Sequence, residues 1–163
     1  MKLIVFSDAH GQENMVDRIL NFNPDADYIL SLGDSQLNHD YLLSRDIVHV
    51  KGNINRDPGF VYETDVTVGD IRIFLTHGHK FKVQRTLDKL RKHAVSSGYQ
   101  VALFGHTHIP YKEQSKTITM VNPGSCASPR NSLPPTYAIL VVEGTKIEVT
   151  FKDVWTNKTI ELK

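Results

Sequence analysis

The stretch Leu103–Pro110, LFGHTHIP, closes an apolar run with a glycine and then sets two imidazoles, His106 and His108, two residues apart. Imidazole nitrogens bind borderline divalent cations, yet one HxH is equally an ordinary hydrogen-bonding pair. Its weight comes from its company. LIVFS runs into Asp8-Ala9-His10-Gly11, YILSL into Gly33-Asp34, IVHVK into Gly52-Asn53, and IRIFLT into His77-Gly78-His79. Five strand-length apolar runs therefore finish beside a glycine in a side chain able to hold a metal. In α/β sheets the carboxyl ends of strands form the ligand-binding edge, so five such ends on one rim would pool their donors.

The donor types narrow the chemistry. Asp, Asn and His suit Mn²⁺, Fe²⁺, Zn²⁺, Ni²⁺ or Mg²⁺, and no thiolate is offered. Asp8, His10, Asp34, Asn53, His77, His106 and His108 are too many ligands for one ion, which points to two ions sharing a carboxylate. Two divalent ions against two carboxylates and a hydroxide leave roughly one positive charge for an anionic phosphoryl oxygen. Asparagine at position 53 preserves that surplus, where a third carboxylate would cancel it.

The elements that must position these residues can be read from periodicity. Residues 12–21 carry Met15, Val16, Ile19 and Leu20 on one helical face, and Asn23-Pro24 stops the pattern. Residues 27–32 and 47–50 read as buried strands, with a short helix over 40–44 between them. Residues 61–68 and 71–76 read as two strands turning at Gly69-Asp70. Val83, Leu87, Leu90, Ala94 and Val95 predict a helix over 82–96, followed by a strand at 101–104. After Pro110, β-branched strands dominate at 117–121, 137–143 and 146–153, interrupted by the Gly/Ser/Pro loop 122–135. Strand–helix alternation followed by strands predicts an α/β core with a largely antiparallel second half.

Composition sets the outer bounds. A chain of 163 residues, 40% hydrophobic, makes one domain with a sizeable core. A formal charge of +1 gives no global field toward nucleic acid or acidic lipid. The single cysteine, Cys126, excludes a disulfide framework and a cysteine-rich zinc site, and reads as inert. The apolar run after Met1 is too short for a signal peptide or a membrane span, so the expectation is a cytoplasmic protein with no membrane partner.

The ordered series D-x-H, GD, GN, HGH, GHTH, from Asp8 to His108, resembles the calcineurin-like metallophosphoesterase superfamily. Asn122-Pro123-Gly124-Ser125 with Pro129-Arg130 resembles a loop of its small single-domain bacterial and archaeal phosphodiesterases. The resemblance implies a four-layer α-β-β-α sandwich of two mixed β-sheets flanked by helices, spanning residues 1–163. It implies that Asp8, His10, Asp34 and His108 hold one metal, and that Asp34, Asn53, His77 and His106 hold the second. Asp34 would bridge, and a hydroxide between two ions, Mn²⁺ foremost, would attack phosphorus. One departure matters. Where the superfamily often continues GNH, this chain has Gly52-Asn53-Ile54, and Ile54 has no proton to give a leaving group. His79 or a metal-bound water remain as acids, so esters with good leaving groups should react best.

Other residues carry less. His79 orients His77, touches substrate or bonds within its loop. Arg56 and Arg130 follow motif positions and could clamp a phosphate oxygen; Arg130 could equally tie down its own loop. Asn122 and Gly124 read as turn residues, and His39, His49 and His93 as structural or surface groups. Lys80, Lys82, Arg85, Lys89, Arg91 and Lys92 face only Asp88, and read as a solvated helix face. The expectation is a metal-dependent phosphodiesterase acting on a small phosphodiester or nucleotide, with Asp34, Asn53 and His79 catalytic. The alternatives are a phosphomonoesterase or nucleic-acid nuclease, a nucleotide sensor, or a protein-binding scaffold of the same fold, like the retromer subunit that resembles these enzymes. Oligomeric state is open.

Overall fold

Alternation along the strands decides the layering in the computed structural model, which describes residues 1–54 and 60–162. In β1 (Lys2–Phe6), Leu3 and Val5 enter one apolar cluster while Ile4 and Phe6 enter another. A strand whose successive side chains are all buried must be covered on both faces. The same division recurs in β2 (Tyr28–Ser31), with Leu30 on one side and Ile29 on the other. The elements that follow are α2 (His39–Leu43), β3 (Ile47–His49), β4 (Glu63–Val68) and β5 (Ile71–Thr76). After a 3₁₀ turn at His79–Phe81 come α3 (Asp88–Ser96), β6 (Val101–Leu103), β7 (Pro110–Gln114) and β8 (Thr119–Pro123). The chain closes with β9 (Thr136–Glu143), β10 (Lys146–Asp153) and β11 (Thr159–Ile160); α1 (Glu13–Phe22) lies between β1 and β2.

Two mixed sheets result, in the orders β11-β10-β9-β1-β2-β3 and β4-β5-β6-β8-β7. Leu3, Val5, Leu30, Ile73, Leu75, Leu103 and Leu140 fill the space between them. Met15, Val16, Ile19, Tyr41 and Leu42 of α1 and α2 cover the first sheet. Leu90 and Ala94 of α3, with Val83, cover Phe74, Ala102 and Met120 of the second. The order is helices, sheet, sheet, helix, the α/β sandwich expected. Leu140 is fully buried at the sheet–sheet seam and far in sequence from the strand-end motifs. Leu140→Ala is expected to cost about 2–5 kcal/mol, seen as a lower urea midpoint at unchanged slope.

Most predicted elements appear within a residue or two. The helix expected over 82–96 starts only at Asp88. Lys82 sits in the left-handed region (φ 58°), which breaks the helical ladder, and the Thr86 hydroxyl accepts from Asp88 N. Val83 and Leu87 still pack on the core, so their spacing reported burial and not helix. The second half is largely antiparallel, but β8 runs parallel to β6. Strands β7 and β11 were not foreseen. Among the described residues no helix is long and apolar enough to cross a membrane.

The parallel strands matter for function. β1, β2 and β3 run parallel in one sheet, as do β5, β6 and β8 in the other. Their carboxyl ends emerge on the same rim, where the chain places Asp8, Asp34, Asn53, His77, His106 and Ser125.

Candidate metal centre

The cluster is built around one carboxylate oxygen. Asp8 is fully buried, and its Oδ1 has no hydrogen-bond partner. Around that oxygen lie His108 Nε2 at 3.2 Å, His77 Nε2 at 3.9 Å and His10 Nε2 at 4.0 Å. Its other oxygen, Oδ2, accepts from Ser7 Oγ at 2.6 Å and from His106 N at 3.2 Å, which fixes the carboxylate plane. Asp34 Oδ2 is 3.3 Å from His77 Nε2, while its Oδ1 accepts from Ile54 N at 2.8 Å. Asn53 Oδ1 lies 3.0 Å from His77 Nε2.

The imidazoles are aimed by their far nitrogens. His77 Nδ1 donates to Leu32 O at 2.7 Å and His108 Nδ1 to Ser128 O at 2.6 Å. His10 Nδ1 faces Gln36 Oε1 at 3.0 Å. An Nδ1–H held by a carbonyl leaves the Nε2 lone pair pointing inward, as in metal-ligating histidines. His10 Nε2 and His108 Nε2 consequently face each other at 3.3 Å. Two imidazole lone pairs at that separation repel unless a cation or a proton lies between them. An unpartnered buried carboxylate oxygen among three such nitrogens fits a divalent ion. Among the described residues two groups satisfy the spacing: Asp8, His10 and His108, and Asp8, Asp34 and His77. Asp8 is common to both groups, whereas the resemblance gave the shared position to Asp34.

The electrostatics agree with a cation site. Burial pushes the Asp34 carboxyl up, but hydrogen bonding and charge from His77 and the Ile54 N–H outweigh it and hold it at about 2. Burial likewise pushes His77 down, and its raised pKa comes from Asp34 and Asp8 overcoming that penalty. His106 is pressed downward by burial and by His77. Its ring lies 5.1 Å from that of His77, edge to face. His79 stands further out, 5.5 Å from His77 and 6.1 Å from His106. Burial and those two neighbours push it to about 4, so its ring is neutral at pH 7. The charge of Arg130 reaches His106, and its backbone N–H donates to His108 O at 3.4 Å. Arg56 lies outside the described residues.

The backbone is held in an unusual state here. Asp8, His10, Asp34, His106 and His108 all have positive φ, between 46° and 71°. Non-glycine residues rarely adopt this region, and such strain gathers at functional sites. Two glycines permit the approach of the loops. A Cβ on Gly52 would overlap the Asp34 carboxylate, and one on Gly105 would strike Ser7 Oγ, the group that holds Asp8.

Several supporting residues escaped sequence reasoning. Ser125 Oγ donates to Asp8 O at 2.8 Å and accepts from Ser128 N at 2.7 Å. Asn122 is a turn residue as expected, its Oδ1 accepting from Gly124 N at 2.9 Å. It does more: its buried Nδ2 donates to Gly105 O at 2.9 Å and Thr107 Oγ1 at 3.0 Å, holding the GHTH turn. Asn122→Ala is expected to weaken metal binding about 10–100-fold, measured by calorimetric titration with Mn²⁺. The Asn-Pro-Gly-Ser motif was the available signal. Cys126 is buried, and burial pushes its thiol up, consistent with inertness.

Comparison with known proteins places this geometry. Residues 1–145 match the calcineurin-like phosphoesterase superfamily domain. The probable metallophosphoesterase YsnB of Bacillus subtilis is 32% identical over 100% of this chain and 97% of its own length. Phosphodiesterase YfcE of Escherichia coli K12 is 29% identical over 86% of this chain and 87% of its own. A crystal structure from Streptococcus pneumoniae TIGR4, described as a phosphoesterase by prediction, superposes with a TM-score of 0.86 at 30% identity, covering 94% of this chain and 89% of that one. The strand-end Asp, Asn and His residues, two mixed sheets and these relatives agree: the chain belongs to the calcineurin-like phosphoesterase superfamily.

Proposed function

We infer that residues 1–163 act as one domain, a phosphodiesterase working with two divalent ions, Mn²⁺ foremost, on a small phosphodiester or nucleotide in the cytoplasm. Asp8, His10, Asp34 and His108 would hold one ion, and Asp34, Asn53, His77 and His106 the other. Bound there, the ions would supply a bridging hydroxide as nucleophile at neutral pH and offset charge on the phosphoryl oxygens. The observation that carries this reading is Asp8 Oδ1, buried without a hydrogen bond among three Nε2 atoms.

The chain's own residues do the rest. Ser7 and the His106 N–H keep the Asp8 carboxylate oriented. Asn53 contributes a neutral oxygen, so the site keeps its positive surplus for a phosphate. Arg130 adds positive charge beside His106. His79, neutral at the rim, would orient substrate or water. Ile54 offers no proton, so aryl esters should outpace alkyl esters. A diester is favoured over a monoester by charge: a surplus of roughly one positive charge, with no Arg or Lys among the candidate ligands, suits a monoanion better than a dianion.

The test is chelation followed by single-metal add-back, with an activated aryl phosphodiester beside its monoester. Metal-restored diester cleavage, lost in Asn53→Ala and Asp8→Asn, is the expected result. About two bound ions per chain with no turnover under any metal would replace this reading with a scaffold or sensor.

A further inference from the structure

Lys51 and Lys80 are distant in sequence, yet both ammonium groups lie near one ring. Lys80 Nζ lies 3.3 Å from the centroid of Tyr62, and Lys51 Nζ 5.2 Å from it. Both distances fall within the roughly 6 Å range of cation–π attraction. The Tyr62 ring is itself 5.7 Å from that of His79. Lys51 precedes Gly52-Asn53 and Lys80 follows His79, so this pair of cations sits against the rim of the metal cluster.

No carboxylate of the described residues pairs with either lysine. Arg91, from the same basic stretch, is committed elsewhere, to Asp88 at 3.3 Å and Glu113 at 2.7 Å. Two like charges on one ring repel, and the ring's quadrupole offsets only part of that repulsion. A bound anion would relieve it.

We propose that Lys51, Lys80 and Tyr62 form a subsite for a second phosphate group, so that the preferred substrate is a phosphodiester that also carries a phosphate monoester. The inference rests on the phosphodiesterase reading and names the substrate class for that site. A diester bearing one charge is bound by the metal cluster alone; the extra phosphate brings two more charges within reach of the lysines.

Two thymidine esters differ only in the group that matters: thymidine 5′-(p-nitrophenyl phosphate), and the same compound phosphorylated at the 3′ oxygen. With the Mn²⁺-loaded protein, kcat/KM should be about fivefold or more higher for the 3′-phosphorylated ester, through KM, and the ratio should shrink as salt is raised. In the Lys51→Gln/Lys80→Gln double variant the ratio should fall to about one, and Tyr62→Leu should give an intermediate ratio. A wild-type ratio near one, or the same ratio in the double variant, overturns the proposal. If neither ester turns over, the phosphodiesterase reading fails and binding decides the subsite. Thymidine 3′,5′-bisphosphate should then bind wild type about fivefold more tightly than thymidine 5′-phosphate by calorimetry, and equal affinities overturn it.

Discussion

Asp34→Asn is expected to leave a folded protein whose turnover of an activated aryl phosphodiester falls by about a thousandfold or more, a loss on the order of 4 kcal/mol in transition-state stabilisation. The geometry explains why folding survives. Asp34 Oδ1 accepts from Ile54 N, which an amide oxygen does equally well. Its Oδ2 faces His77 Nε2 at 3.3 Å, and an amide NH₂ placed there donates to that lone pair, since His77 Nδ1–H is committed to Leu32 O. The substitution therefore keeps a hydrogen bond at this position while it removes the buried negative charge that a bound cation would need. The sign of the stability change distinguishes this account from simple damage. Chelation should lower the thermal midpoint of the wild type by several degrees and leave that of the variant unmoved, because metal binding stabilises only the form that binds it. Thermal melts with and without EDTA, together with metal content by elemental analysis, read both halves. A variant that keeps its ions and its metal-dependent midpoint would exclude Asp34 from the centre.

Gly52→Ala is expected to be as damaging for the opposite reason. Here the ligands all remain and the space is lost. The added Cβ would overlap the Asp34 carboxylate and backbone, neither of which can swing aside: the carboxylate is tied to Ile54 N and the backbone O to His10 N. Relief requires moving the Asn53 loop away from β2, which separates Asn53 from His77. The expected cost is about 3 kcal/mol or more, with little soluble protein at 37 °C. Gly69→Ala provides the contrast. A Cβ there meets nothing within 4 Å, and only its φ of 59° is unfavourable, so about 1 kcal/mol is expected. Denaturant midpoints of the two variants should differ accordingly. Equal midpoints would show that the loop yields where the packing says it cannot.

The convergence of the candidate ligands was legible because each follows an apolar run, and strand ends on one rim pool what they carry. The groups that aim those ligands were not. Leu32 O and Ser128 O are backbone carbonyls, which any residue supplies, so nothing in the sequence marks them. The partition of strands was equally silent. β1 and β5 alternate in the same way, and periodicity does not say that they belong to different sheets. β7 begins with a proline and continues YKEQ, an edge strand with two exposed polar residues and no apolar run to announce it. The lysine pair on Tyr62 could not be read either, since a ring contact between distant residues has no local signature. Within the basic stretch it was tertiary structure that separated Lys80, turned to the rim, from Arg91, paired on the helix.

The central place of β1 has a consequence for the life of the molecule. β1 lies between β2 and β9, and Asp8, just after it, is held through its carbonyl by Ser125, 117 residues further on. During vectorial synthesis β1 must wait, one edge unpaired, until residues 136–143 have left the ribosome. Such non-local closure makes folding slow and exposes an apolar edge to other chains in the interval. It also orders events: the Asp8 carboxylate acquires its final orientation only after His106 has joined it, and its backbone only after Ser125 has. An ion bound there would thus be captured after these distant segments have closed on β1 and not by the isolated strand.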